Sequence, residues 1–159
     1  MTILLYGKFD LAALENSYQR AFEALGHQVL CFDVDKEKGL IGRKNRILQR
    51  LIRYALPARR WLSWGLNAGL LTRIRTEKPA LMLVFRGDFL MFETVQTVRE
   101  MGVKTVVFNP DNPFPGHPSA RPEHLRAARE ADAYLIWSEA LANQLREKGV
   151  KASHFFPFG

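Results

Sequence analysis

Apolar positions along the chain fall into short unbroken runs, separated by longer stretches with helical spacing. The runs are Thr2–Tyr6, Gln28–Phe32, Leu81–Phe85, Lys104–Phe108, Ala133–Trp137 and Ala152–Phe155. Most lack polar alternation, which predicts strands of a parallel sheet covered on both faces. Between the first two, Asn16–Leu25 spaces Tyr18, Ala21, Phe22 and Leu25 as one helical face, and Gly26 terminates it. Phe92–Met101 ends at Gly102 and Glu139–Lys148 at Gly149, while Ser119, Pro122 and Glu123 open a helix running to about Glu130. This alternation predicts an α/β fold: a Rossmann-like, doubly wound, mainly parallel six-stranded sheet in a single domain over residues 1–159.

One connection is longer than the rest. Between the second and third strands, Asp33 to Ala80, the chain carries a helical insertion. Asn45–Leu56 sets Leu48, Leu51, Ile52 and Ala55 on one side and Arg46, Arg50 and Arg53 largely on the other, and Pro57 is expected to stop it. Arg60–Arg75 resumes with Leu62, Leu66, Leu70 and Ile74 on a stripe, which Trp61 and Trp64 are expected to join. An insertion of this length inside a compact domain usually has a task.

Charge sharpens that point. The chain carries +7 overall, but residues 36–60 hold nine basic side chains (Lys36, Lys38, Arg43, Lys44, Arg46, Arg50, Arg53, Arg59, Arg60) against Glu37. That segment is +8 and the remainder is −1, so the basic character points to a local partner. A hydrophobic content of 47% with 25% charged residues is that of a globular protein. No apolar run approaches the ~20 residues that span a bilayer. Met1–Tyr6 lacks the basic start of a secretory signal and reads as a first strand. A single cysteine, Cys31, excludes an internal disulfide and fits a reducing cytoplasm, and four scattered histidines give no metal-ligand spacing.

Several chemistries lack their motif. The loop after the first strand, Gly7-Lys8-Phe9-Asp10, continues to Asn16 without a second glycine, so the dinucleotide fingerprint is missing although Asp33 and Asp35 end the second strand. There is no Walker loop and no Gly-x-Ser-x-Gly elbow, and Cys31 has no evident histidine partner. What remains is a set of polar residues at strand carboxyl ends, where open α/β sheets bind ligands. Lys8, Asp10, Glu15 and Asn16 follow the first strand, Arg86 and Asp88 the third, Trp137 and Ser138 the fifth. After the fourth comes Asn109-Pro110-Asp111-Asn112-Pro113, in which the prolines forbid helix and ladder and leave a stiff loop. These groups are expected to share one rim and hold a polyhydroxyl or phosphate-bearing ligand, with Arg86 suited to a phosphate or carboxylate. The same residues also make ordinary turns and caps, and Asp88 equally suits a salt bridge with Arg86.

Tyr6-Gly7-Lys8-Phe9-Asp10, Glu15-Asn16-Ser17-Tyr18, Lys78-Pro79, Phe85-Arg86-Gly87, Phe108 to Phe114, Ile136-Trp137-Ser138 and Phe156-Pro157-Phe158-Gly159 together resemble the CgeB-like (spore maturation protein) glycosyltransferases. The resemblance covers nearly the whole chain as the amino-terminal domain of that family, with residues 36–75 the poorly matched part. It implies a GT-B enzyme in which two Rossmann-like domains face each other. This half would shape the acceptor side, and an absent carboxyl-terminal domain or partner chain would hold most of the nucleotide-sugar donor. The implied half is inactive without that second domain and needs no metal or other cofactor. Asp111 is the first choice for a catalytic base, with Asp10 and Glu15 second, and a purely structural Asp111 stays open.

Two other readings, an assembly module and a nucleic-acid binder, stand beside it, while a membrane contact of the basic segment belongs to the glycosyltransferase reading. The chain is alternatively a non-catalytic binding or assembly module that self-associates or pairs with a partner through the greasy tail Phe155-Phe156-Pro157-Phe158. Arg43, Lys44, Arg46, Arg50, Arg53, Arg59 and Arg60 suit an anionic membrane surface, giving a cytoplasmic protein peripheral to the inner face of a membrane. Nucleic acid ranks last, since no reader motif accompanies the basic segment.

Overall fold

The computed structural model describes residues 1–42, 56–116 and 122–157. Six parallel strands, β1 (Thr2–Gly7), β2 (Gln28–Asp33), β3 (Leu81–Phe85), β4 (Lys104–Asn109), β5 (Ala133–Ile136) and β6 (Ser153–Phe155), form one sheet in the order β2-β1-β3-β4-β5-β6. Each pairs parallel to its neighbours, with Ile3 opposite both Val29 and Leu81, and Phe85 opposite Phe108. All six strands expected from the apolar runs are present, and so is the doubly wound arrangement.

The helices are α1 (Leu14–Ala24), α2 (Val34–Gly42), α3 (Leu56–Glu77), α4 (Phe92–Glu100), α5 (Pro122–Glu130) and α6 (Glu139–Glu147). Alternate residues of each strand face opposite layers. Leu4, Tyr6, Met82, Val84, Val107, Tyr134 and Ile136 meet the inward residues of α3, α4, α5 and α6 in the larger core. Ile3, Leu5, Leu83, Phe85 and Phe108 form the other face, covered by Tyr18 and Phe22 of α1. Tyr18 stands edge-on to Phe85 at 5.2 Å between centroids, an arrangement aromatic rings favour.

The insertion departs from expectation in two ways. Helix α2 begins directly after β2, where the sequence shows little apolar periodicity. Its signal is a cap: Asp33 Oδ1 accepts the N–H groups of Asp35 and Lys36 at 3.0 and 3.2 Å. Pro57 lies in the first turn of α3, where its missing N–H costs nothing, and the helix it is expected to stop lies outside the described residues apart from Leu56. Trp61 and Trp64 do not join the buried stripe. Leu62, Leu66, Leu70 and Ile74 are at most 4% exposed, while the two tryptophans are 66% and 63% exposed. At 100° per residue, positions 61 and 64 point away from 62, 66 and 70. The helix expected over Asn45–Leu56 lies outside the described residues except for Leu56, as do Arg43, Lys44, Arg46, Arg50 and Arg53; of Arg59 only the backbone is described.

Candidate functional site at the carboxyl rim of the sheet

The loop after β3 is unusual. Arg86, Gly87 and Phe89 all have positive φ (62°, 81° and 65°), a region that side-chain-bearing residues occupy at a cost of about 1–2 kcal/mol. The surroundings hold it there. Arg86 N–H donates to Phe108 O at 2.9 Å and Gly87 N–H to Phe85 O at 2.7 Å. The buried Tyr6 hydroxyl donates to Asp88 O at 2.6 Å. Asn67, 4% exposed on α3, donates to Phe89 O at 2.7 Å and accepts from Met91 N–H at 3.0 Å. From α2, Lys38 Nζ sits 4.1 Å from the centre of the Phe89 ring. The insertion therefore buttresses this loop.

So fixed, the loop gathers charges from four segments. Lys8 Nζ lies 3.5 Å from Asp88 Oδ2, and Arg86 reaches Asp88 at 3.9 Å and Asp111 Oδ2 at 3.2 Å. His124 of α5, buried at 4% exposure, brings Nε2 to 3.3 Å from Asp88 Oδ1, too oblique for a well-formed hydrogen bond but close enough to favour the carboxylate. Arg86 Nε is buried without a protein partner among the described residues. Burial would raise the proton affinity of Asp88. His124, Arg86 and Lys8 outweigh it and hold the carboxyl well below the usual range. Asp88 is thus a fixed anion that orients two cations. The side chains of Lys8, Arg86 and Asp111 remain 41%, 37% and 31% exposed, so a ligand can meet them.

The other expected residues divide. Asn109 is 3% exposed, and its amide is spent on the fold: it donates to the Tyr134 hydroxyl at 2.7 Å and accepts from Asp111 N–H at 3.0 Å. It aims the loop carrying Asp111 and is not open to a ligand. The Tyr134 hydroxyl is pushed up to about 12, by burial first and by Asp111 in addition, against the pull of Asn109. Asn112 Oδ1 accepts from Phe114 N–H, and Ser138 caps α6 through Leu141 N–H. Glu15 accepts the Lys8 N–H at 3.0 Å and lies over Gly7 so closely that a Cβ there would stand 2.5 Å from its carboxylate. Asn16 donates to Asp10 O at 2.6 Å, and the Asp10 residue is exposed. Trp137, 42% exposed, follows β5 two strands from Arg86. The centre of the site is therefore Lys8, Arg86, Asp88 and Asp111, with Glu15, Asn109 and Asn112 shaping its loops.

Sequence reasoning missed Tyr6, Asn67 and His124. Each is a polar group on an otherwise apolar, inward face, a pattern that marks a buried partner without naming it. A depression of about 500 Å³ lies at the opposite end of the sheet beside Ile74, Lys78 and Gly102, and no carboxylate or amide lines it. Among the described residues no group of three or more His, Cys, Asp or Glu is placed to hold a metal ion, and no helix is long and apolar enough to cross a membrane.

No protein-family model matches the chain, and no curated protein matches its sequence. Solved structures do match its fold. A UDP-GlcNAc 2-epimerase from Neisseria meningitidis, bound to UDP-GlcNAc, aligns over 98% of this chain and 45% of its own, at 11% identity and a TM-score of 0.58. The spinosyn rhamnosyltransferase SpnG, complexed with thymidine diphosphate, aligns over 86% of this chain and 45% of its own, at 13% and 0.51. UGT73P12 of Glycyrrhiza uralensis, complexed with glycyrrhetinic acid 3-O-monoglucuronide, aligns over 99% and 48%, at 13% and 0.51. The fold is the Rossmann-like domain of the GT-B type, and the chain spans about half the length of the structures it matches.

Proposed function

We propose that the chain is the amino-terminal, acceptor-side half of a glycosyltransferase that moves a sugar from a nucleotide-sugar to a hydroxyl acceptor. The observation that carries the reading is the meeting of Lys8, Arg86, Asp88 and Asp111 on the rim of a GT-B-type domain. All three matched proteins are named for, or solved with, a sugar or a nucleotide, which supports carbohydrate chemistry. The finer assignment rests on the resemblance of the sequence motifs to those of CgeB-like enzymes. In this proposal a second domain or partner chain holds the donor, so this half does not transfer sugar unaided.

Within the site, Lys8 and Arg86 hold the anionic or hydroxyl-rich part of a sugar or phosphosugar acceptor. Asp111, steered by Arg86, takes the proton of the acceptor hydroxyl as its oxygen bonds to the anomeric carbon. The bond from that carbon to the donor phosphate breaks, and the nucleoside diphosphate leaves with the electron pair. Asp10, exposed beside Lys8, is the secondary candidate for the base. The place of action is the cytoplasm, at the inner face of a membrane.

Calorimetric titration with glucose 1-phosphate tests the reading. It is expected to show binding that Arg86→Ala weakens about tenfold or more, as loss of charge-assisted hydrogen bonds requires. Binding unchanged by Arg86→Ala would remove the site. A second reading, an assembly module, is favoured by the exposure of Trp137, Phe155 and Phe156 at 42%, 50% and 40%. It predicts a concentration-dependent dimer in light scattering that Phe155→Ser and Phe156→Ser dissolve, and a monomer at all concentrations contradicts it.

A further inference from the structure

Helix α3 has two unlike sides. One is buried through Leu62, Leu66, Leu70 and Ile74; the opposite side presents Trp61, Trp64, Gly65, Ala68 and Thr72 to solvent. Two indoles exposed by about two-thirds, one turn apart, leave a large apolar area uncovered. The helix holds no acidic residue before Glu77, and Arg60 is exposed beside Trp61. Its first turns close the 36–60 segment that carries +8 while the remaining residues sum to −1.

We infer that this outward face of α3 docks on an anionic lipid surface, the two indoles settling at headgroup level and Arg60 facing the lipid charge. Charge decides the occupant. A chain of net charge +7 whose basic residues concentrate in the stretch leading into this helix suits an anionic surface better than a like-charged second copy. Duplex nucleic acid offers phosphates but no apolar layer for indoles carried on a flat helix face. The small residues Gly65 and Ala68 between the indoles and Thr72 let the helix axis approach the surface closely. The placement also matters for the rim. Asn67, one turn beyond Trp64, bonds directly to the loop carrying Arg86 and Asp88, so the docking face and the polar rim share one end of the molecule.

The test uses the intact protein with phosphatidylcholine vesicles and with vesicles in which phosphatidylglycerol replaces part of the phosphatidylcholine. It reads adsorption and not transfer, so its outcome is separate from that of the glycosyltransferase reading. Co-sedimentation is expected with the phosphatidylglycerol vesicles, weakening as salt rises, with tryptophan emission quenched by brominated lipid. The Trp61→Ala/Trp64→Ala variant is expected to bind about tenfold or more weakly, with its thermal unfolding unchanged because both rings are exposed. Arg60→Glu, which keeps both indoles, is expected to weaken binding about fivefold or more at low salt. Equal binding to neutral vesicles overturns the inference, as does binding unchanged by both variants.

Discussion

Arg86 occupies a backbone conformation suited to glycine, at φ 62°, and spends its guanidinium on Asp88 and Asp111. Arg86→Gly removes the strain while raising the entropy of the unfolded chain, and the two effects nearly offset. With its two ion pairs also lost, the variant is expected to lose about 1 kcal/mol in urea unfolding while losing glucose 1-phosphate binding. A loss above about 2 kcal/mol would show a structural arginine. Asp88 gives a pH prediction. Its folded proton affinity is held below that of the unfolded chain, chiefly by His124, Arg86 and Lys8 against burial, so its stabilisation is present above the ordinary carboxylate pKa. That contribution is lost as pH falls below about 4. Asp88→Asn should therefore flatten the acid limb of the stability curve, and an unchanged limb contradicts the network. The positions of Lys8, Arg86 and Asp111 were legible in the chain because strand ends are marked by prolines and glycines. The role of Asn109 was not, since a buried amide and a rim amide are the same letter, and only the Tyr134 hydroxyl decides between them.

At the scale of elements, α3 carries the clearest contrast. Leu70 is fully buried against the sheet, and Trp61 stands in solvent a few turns away. Leu70→Ala is expected to cost about 3 kcal/mol, and Trp61→Ala less than about 0.5 kcal/mol, both read by denaturant unfolding. Equal costs would mean the helix faces are assigned wrongly. The strands were readable because short, mostly apolar runs of four or five residues suit a sheet buried on both sides. Helix α2 was not, because its start depends on one carboxylate, Asp33, and its nine residues show little amphipathic pattern. The tryptophans misled for a related reason: being hydrophobic does not fix the face, and a 3.6-residue period puts 61 and 64 opposite 62 and 66. What the insertion does was also beyond the sequence. Asn67 and Lys38 reach the β3 loop across contacts that no local spacing encodes.

For the whole molecule, the sheet order β2-β1-β3-β4-β5-β6 sets β1, β3 and β4 side by side, and so joins Lys8, Arg86 and Asp111 from segments far apart in the chain. The Rossmann-like core and its likeness to half of larger sugar-nucleotide proteins rest on that order. The central claim is that this rim is a single carbohydrate-binding site. Backbone-amide NMR of the intact chain titrated with glucose 1-phosphate, with inorganic phosphate as reference, measures it directly. Shifts concentrated at residues 7–10, 86–89 and 109–112 and absent in Arg86→Ala are the predicted result. Shifts confined to the opposite end around Arg75, Lys78 and Gly102, or identical with both titrants, would contradict it.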